Sequence, residues 1–492
     1  MSVLRDENGQ QRRGDREAFH KYSLIRTGGR ALSALETGRF LVGMVLCYAV
    51  AIMGCLAVRP LWIDEVLQLV ATRSSPSISA MFDMMGIAGG AVPLGYLTQR
   101  PFVLLAGPST FWARFPSALF SIASCILLIR ICRALNLSRA TTAVTAAIFM
   151  IAPSQVRYAM EARPYSEAMF FGLLAAMALG KLAKDGKITS AVLAELAILA
   201  GLYTQAYIVF PIAGVAVWYA IAAFRRGDTR RAWLPIACLG VAAILFVPWY
   251  VRFSQEWQLH NQLAGVPDFQ WTGSLALDIF KGIPGGSFLC SAALLFLAAA
   301  SLRAERIAGS LLLVSLGAIA GPLLADTLEN YFFASRQLLY ALPGLAILGA
   351  LGFDALFRQN RFAALTAMTV FSITALISDV SSQLHAREDW RAAAATLSGI
   401  TREGYCVQPA LELSGAVEMY SVFAPSLAST RCPSAQTESR LAFVSNFAMD
   451  PRQVQAAMNK LQGLGFVARK AIQVGGTTIT VEQRPERPQA VR

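Results

Sequence analysis

About eleven stretches of mainly apolar residues, each near the length that crosses a lipid bilayer, run through this 492-residue chain. A hydrocarbon core about 30 Å thick takes about 20 such residues in a helix. The stretches fall at about 40–58, 113–131, 141–156, 165–180, 188–203, 206–224, 233–250, 287–302, 307–325, 338–356 and 362–380. They predict an α-helical integral membrane protein with about 11 transmembrane helices. A composition of 55% hydrophobic and 15% charged residues excludes an ordinary soluble domain.

The net charge of +13 would suit nucleic acid, but its distribution does not. Arg130, Arg133 and Arg139 follow the second stretch, Lys181, Lys184 and Lys187 the fourth, and Arg225, Arg226, Arg230 and Arg231 the sixth. Arg303 and Arg306 follow the eighth, and Arg358 and Arg361 the tenth. Every second connection is basic, as expected where positive loops stay inside. Residues 1–39 therefore read as a basic cytoplasmic tail lying near anionic lipid, and no nucleic-acid partner is implied. No small-residue cleavage site follows a short apolar core, so the first stretch reads as a retained anchor. Residues 40–380 form the predicted transmembrane domain, with a long outward loop at about 59–112.

Beyond about residue 381 the hydropathy drops, and residues 381–492 read as a small α/β domain on the outward side. Helical patterns near 389–400 and 450–463 alternate with strand-like runs near 404–409, 441–446, 464–473 and 476–483. Six cysteines fall in the spans, where a thiol acts as a small hydrophobe. Cys406 and Cys432 lie outside, where an oxidising compartment would let them pair; their spacing alone leaves pairing open. No cysteine–histidine spacing points to zinc.

An acidic pair, Asp64-Glu65, stands just past the first span in Arg59-Pro60-Leu61-Trp62-Ile63-Asp64-Glu65. A carboxylate at a bilayer centre costs about 2.5–3.5 kcal/mol on insertion scales, so two at a membrane edge need a reason. On a helix adjacent residues diverge by about 100°, so one acid would face a cavity and the other would orient it, bind a metal or pair locally. The first suits general-base work; a solvated loop carboxylate is the plainer alternative. A second group, Glu161-Ala162-Arg163-Pro164-Tyr165, should form a turn leading into a helix that starts at Pro164. Free N–H groups beside the Arg163 guanidinium would make an anion site. Glu161 could hold Arg163 in a structural ion pair or bind a divalent metal, Mg²⁺ or Mn²⁺. Arg336 reads as a phosphate contact or a snorkelling anchor. His260 and Glu195 are isolated polar groups, and the glycine-rich 282–286 stretch reads as a flexible loop. There is no Walker motif.

Four segments in order resemble polytopic glycosyltransferases of the GT-C class. The similarity is to the bacterial branch related to protein O-mannosyltransferases (family 39-like) and to the aminoarabinose transferases of lipid A. They are Trp62-Ile63-Asp64-Glu65, Arg114-Phe115-Pro116-Ser117-Ala118-Leu119, Tyr158 through Tyr165, and Arg387-Glu388-Asp389-Trp390-Arg391. The resemblance implies a GT-C fold in a bacterial cytoplasmic membrane, with the active site on the periplasmic side. It implies a polyprenyl-phosphate-linked sugar as donor and an envelope glycan, lipid or protein as acceptor. Asp64 would be the base and Glu65 its catalytic companion. Arg157, Arg163 and Arg336 would contact the donor phosphate, and Tyr165, His260 and Tyr331 the substrate. Two departures stand out. Tyr203-Thr204-Gln205-Ala206-Tyr207 lacks the histidine many relatives carry there, and the first loop has no lysine to match the phosphate-binding lysine of the aminoarabinose transferases. The rival readings are a transporter or lipid flippase, and a non-catalytic subunit of polysaccharide assembly.

Overall fold

A computed structural model of the chain describes residues 38–87, 92–264, 272–303, 305, 307–329, 334–384, 388–410, 416–446, 449 and 451–485. The chain is mainly helical, with one small sheet near its C-terminus. In chain order the first helices are α1 Gly38–Cys55, α2 Ile63–Leu69, α3 Ile78–Ile87, α4 Leu94–Ala106, α5 Thr110–Ala134, α6 Arg139–Ile151 and α7 Pro153–Ala159. Then come α8 Tyr165–Asp185, α9 Ile188–Thr204, α10 Val209–Phe224, α11 Thr229–Ala264, α12 Gly273–Gly282, α13 Phe288–Ser301, α14 Ala308–Glu329, α15 Leu342–Gln359 and α16 Arg361–Leu384.

Among the described residues, 8 helices are long and apolar enough to cross a membrane. The remaining three expected spans are shorter apolar helices, α6, α9 and α13. The expected span at 141–156 is cut short for a clear reason. Pro153 drives the preceding Ala152 into extended backbone (ψ 128°), so α6 stops at Ile151 and α7 restarts at the proline. At the other extreme α11 runs for 36 residues, beyond the expected 233–250.

The C-terminal residues form α17 Trp390–Arg402, β1 Cys406–Pro409, α18 Ala416–Ser421, β2 Arg440–Asn446, α19 Pro451–Gly463, β3 Val467–Val474 and β4 Thr477–Gln483. The strands are ordered β1-β2-β4-β3; β1 and β2 are parallel and the other pairs antiparallel. Cys406 and Cys432 are joined in a disulfide, which settles the open question of their pairing. One apolar cluster joins Trp390, Leu397 and Tyr420 of this region to Leu61, Val66 and Leu69 around α2. Arg391 adds a hydrogen bond to the Pro108 carbonyl at 2.8 Å. The sheet region thus packs against the loop that carries the acidic pair.

Candidate functional site

The acidic pair occupies the first turn of α2, whose helix begins after Trp62. Glu65 accepts the Trp62 backbone N–H at 3.1 Å, the return arm of a capping box. It is fully buried, at 0% exposure. Arg114 donates to it through Nε and Nη2, each at 2.7 Å, and the Ala162 N–H donates at 2.6 Å. The same guanidinium donates to the carbonyls of Leu56, Arg59 and Pro60 at 2.9, 2.7 and 3.0 Å. Such a buried pair is tolerable only because its donors and acceptors are met. Glu65 therefore clamps the end of the first span, the start of α5 and the turn before α8 together. It is not among the residues that line the cavity described below.

Asp64, one residue earlier, points elsewhere. Its Oδ2 lies 3.2 Å from Arg336 Nη1, with both side chains about a quarter exposed (23% and 26%). Arg336 sits at the start of the span that includes α15, and its guanidinium lies 5.9 Å from the centre of the Tyr165 ring. Tyr165 in turn packs on Tyr158, with ring centroids 4.9 Å apart. Arg163 approaches Asp64 from behind, donating to its backbone carbonyl at 3.4 Å, and lies close to the phenols of Tyr96 and Tyr165. Pro164 caps α8, which starts at Tyr165.

Beside this pair opens a polar cavity of about 530 Å³. Arg59, Arg157 and Arg336 line it, together with Trp62, Tyr158, Glu161 and serines of α16. The Arg59 Nη2 donates to Glu161 at 3.4 Å. Burial pushes the Glu161 carboxyl up to about 7; nearby Glu65 adds to the rise, while Arg59, Arg157 and Arg114 oppose it. Glu161 thus belongs to an arginine cluster. Among the described residues no three His, Cys, Asp or Glu come together in a way that could hold a metal ion. Of the acids at this corner, Glu65 is already saturated by Arg114 and backbone donors, and Asp64 and Glu161 are each paired with an arginine. The residues do not suit a divalent cation, and no step is routed through one. Gly285 and Gly286, expected in a flexible loop, instead form part of the cavity wall. Gly285 has φ +80°, and a Cβ there would stand 2.6 Å from the Ser154 nitrogen, which donates to the Pro284 carbonyl at 2.7 Å. Only glycine combines that backbone with so close an approach.

The structure gathers Asp64, Arg157, Glu161, Arg163, Tyr165 and Arg336 at one place. Tyr331 and the side chain of His260 lie outside the described residues. Glu195 lies elsewhere, near Cys238 of α11. Arg59 and Tyr158 are cavity-lining residues not singled out from the sequence. Arg59 carried a signal: it is an arginine on the side that the charge pattern of the sequence predicts to be poor in them. Arg100, on that same side, serves the loop itself, donating to the carbonyls of Thr72 and Ser75 at 2.8 and 2.9 Å.

Two solved structures of ArnT from Cupriavidus metallidurans are similar to the chain over most of its length. The apo form has a TM-score of 0.58 and 14% identity, covering 90% of this chain and 97% of that one. The form bound to undecaprenyl phosphate has a TM-score of 0.57 and 13% identity, covering 92% and 100%. The chain has the ArnT fold. At such identity the likeness speaks for architecture, the GT-C type expected from the sequence. No protein family and no curated protein sequence matches the chain.

Proposed function

We propose that the protein is a multi-pass membrane glycosyltransferase. It moves a sugar from a polyprenyl-phosphate donor to a hydroxyl of an envelope glycan, lipid or protein. The reaction takes place at the outer face of the bacterial cytoplasmic membrane. The observation that carries this reading is the Asp64–Arg336 pair beside a cavity lined by three arginines. The ArnT neighbour bound to undecaprenyl phosphate supports a polyprenyl phosphate as the carrier. The alternating basic connections support an outward site, and so does the disulfide, which suits an oxidising compartment.

In this mechanism the donor's phosphodiester enters the arginine cavity and draws Arg336 toward it, which frees the Asp64 carboxylate. Asp64 removes the proton from the acceptor hydroxyl. The oxygen attacks the anomeric carbon from the face opposite the phosphate, and the bond from that carbon to the phosphate oxygen breaks. The configuration inverts, and the lipid phosphate leaves with its new charge held by Arg336, Arg157 and Arg59. Arg163 keeps the Asp64 backbone and Tyr165 in place.

Asp64→Asn is the test. Folding and donor binding are expected to persist while transfer falls about 10²–10⁴-fold, the usual loss of a general base. Near-normal transfer by Asp64→Asn would remove this residue from the base role. A wild-type protein that binds donor but transfers to no envelope acceptor would favour the non-catalytic subunit.

A further inference from the structure

A second, apolar cavity of about 360 Å³ opens between α5, α8, α10, α14 and α15. Its α8 side is built from two rows of residues spaced four apart, which share a face of the helix. Gly172, Ala176, Gly180 and Lys184 form one row; Leu173, Met177 and Lys181 form the other. Each row is apolar or bare until it ends in an exposed lysine. Those lysines lie at the end of α8 opposite Tyr165, and so at the membrane face opposite the Asp64 cavity. From Gly172 to Lys184 the helix rises about 18 Å at 1.5 Å per residue. One leaflet of a hydrocarbon core is about 15 Å deep. A Cβ on Gly180 would stand 2.5 Å from the Tyr219 hydroxyl, so a phenol reaches the groove one helical turn short of Lys184.

We propose that this groove binds an anionic glycerophospholipid from the leaflet opposite the Asp64 cavity. Its acyl chains lie along the Gly172–Ala176–Gly180 row, and its phosphate rests on Lys181 and Lys184. The charge decides between occupants. The prenyl tail of a donor held at the other face would end in the groove as hydrocarbon and would have no use for two cations there. The paired lysines match a headgroup on their own side. The proposal does not depend on the sugar-transfer reading.

The test uses the full chain, equilibrated with mixed phosphatidylglycerol and phosphatidylcholine and examined by native mass spectrometry. The wild type is expected to retain phosphatidylglycerol with a preference on the order of tenfold, as two lysines near a phosphate would give. Lys181→Gln combined with Lys184→Gln should abolish the preference, and Ala176→Phe, which fills the groove, should abolish retention. Gel filtration checks that each variant is folded. An unchanged preference in the lysine variant would overturn the proposal. So would one-for-one displacement of phosphatidylglycerol by undecaprenyl phosphate, which would assign the groove to a prenyl carrier.

Discussion

Removing either half of the Glu65–Arg114 pair strands a buried charge, and that typically costs about 3–5 kcal/mol. Glu65→Gln and Arg114→Met are therefore expected to lower the thermal midpoint sharply. Asp64→Asn, at a quarter-exposed site, should leave it nearly unchanged. Thermal unfolding in detergent checks the contrast, and equal shifts in the two positions would refute it. Glu161 provides a pH test. Its carboxyl is raised from 4.5 to about 7 by burial, so it is mostly protonated at pH 6 and mostly ionised at pH 8. The arginine cavity loses one net positive charge across that interval. Affinity for a phosphodiester donor, whose own charge is constant there, should fall as pH rises through about 7, and Glu161→Gln should flatten the profile. The same raised value means the folded chain holds this proton more tightly than the unfolded one. The contribution of Glu161 to stability is therefore lost as pH rises from 4.5 through 7. A donor-binding profile that is flat in the wild type would show that Glu161 does not titrate in the cavity.

At the scale of elements, short helices and turns set the site, and these are what hydropathy reads least well. The sequence placed a span at 141–156, yet Pro153 divides it, and the resulting α7 brings Arg157 and Tyr158 to the cavity. Gly285 shows the same dependence. Its positive φ and its contact with Ser154 hold the turn between α12 and α13 against α7. Gly285→Ala is expected to lose donor affinity through displacement of that wall, with a fall in stability of about 1–3 kcal/mol for strain at such a position. Unchanged donor affinity and stability would show that the wall tolerates a side chain. Arg336→Ala and Arg163→Ala should differ as well. The first lowers donor affinity directly. The second removes support from Asp64 and Tyr165, and should lower the transfer rate more than binding. Binding and single-turnover measurements separate the two, and identical profiles would contradict the division of roles.

For the whole molecule, the sheet region and the membrane region meet through one apolar cluster, so stability of one bears on the geometry of the other. The Cys406–Cys432 disulfide closes a separation of 26 residues, and a cross-link of that length adds about 3 kcal/mol in the chain-entropy account. Replacing both cysteines by serine should speed proteolysis of the C-terminal region, and reduction of the wild type should do the same. Equal proteolysis rates would show that the bridge carries little of that stability.

The sequence by itself determined the helical membrane architecture and the order of strands along the C-terminal region. Both rest on local periodicity and on the apolar length needed to cross a bilayer, which a chain displays without folding. It also showed that Asp64 and Glu65 would have to diverge. Which of them is buried and which pairs with an arginine of the cavity wall was decided by tertiary structure alone. The answer depends on Arg114, 49 residues away from Glu65, and on the Ala162 backbone, 97 residues away. No local pattern encodes a partner at that distance; only the packed chain brings one acid its donors and leaves the other to Arg336.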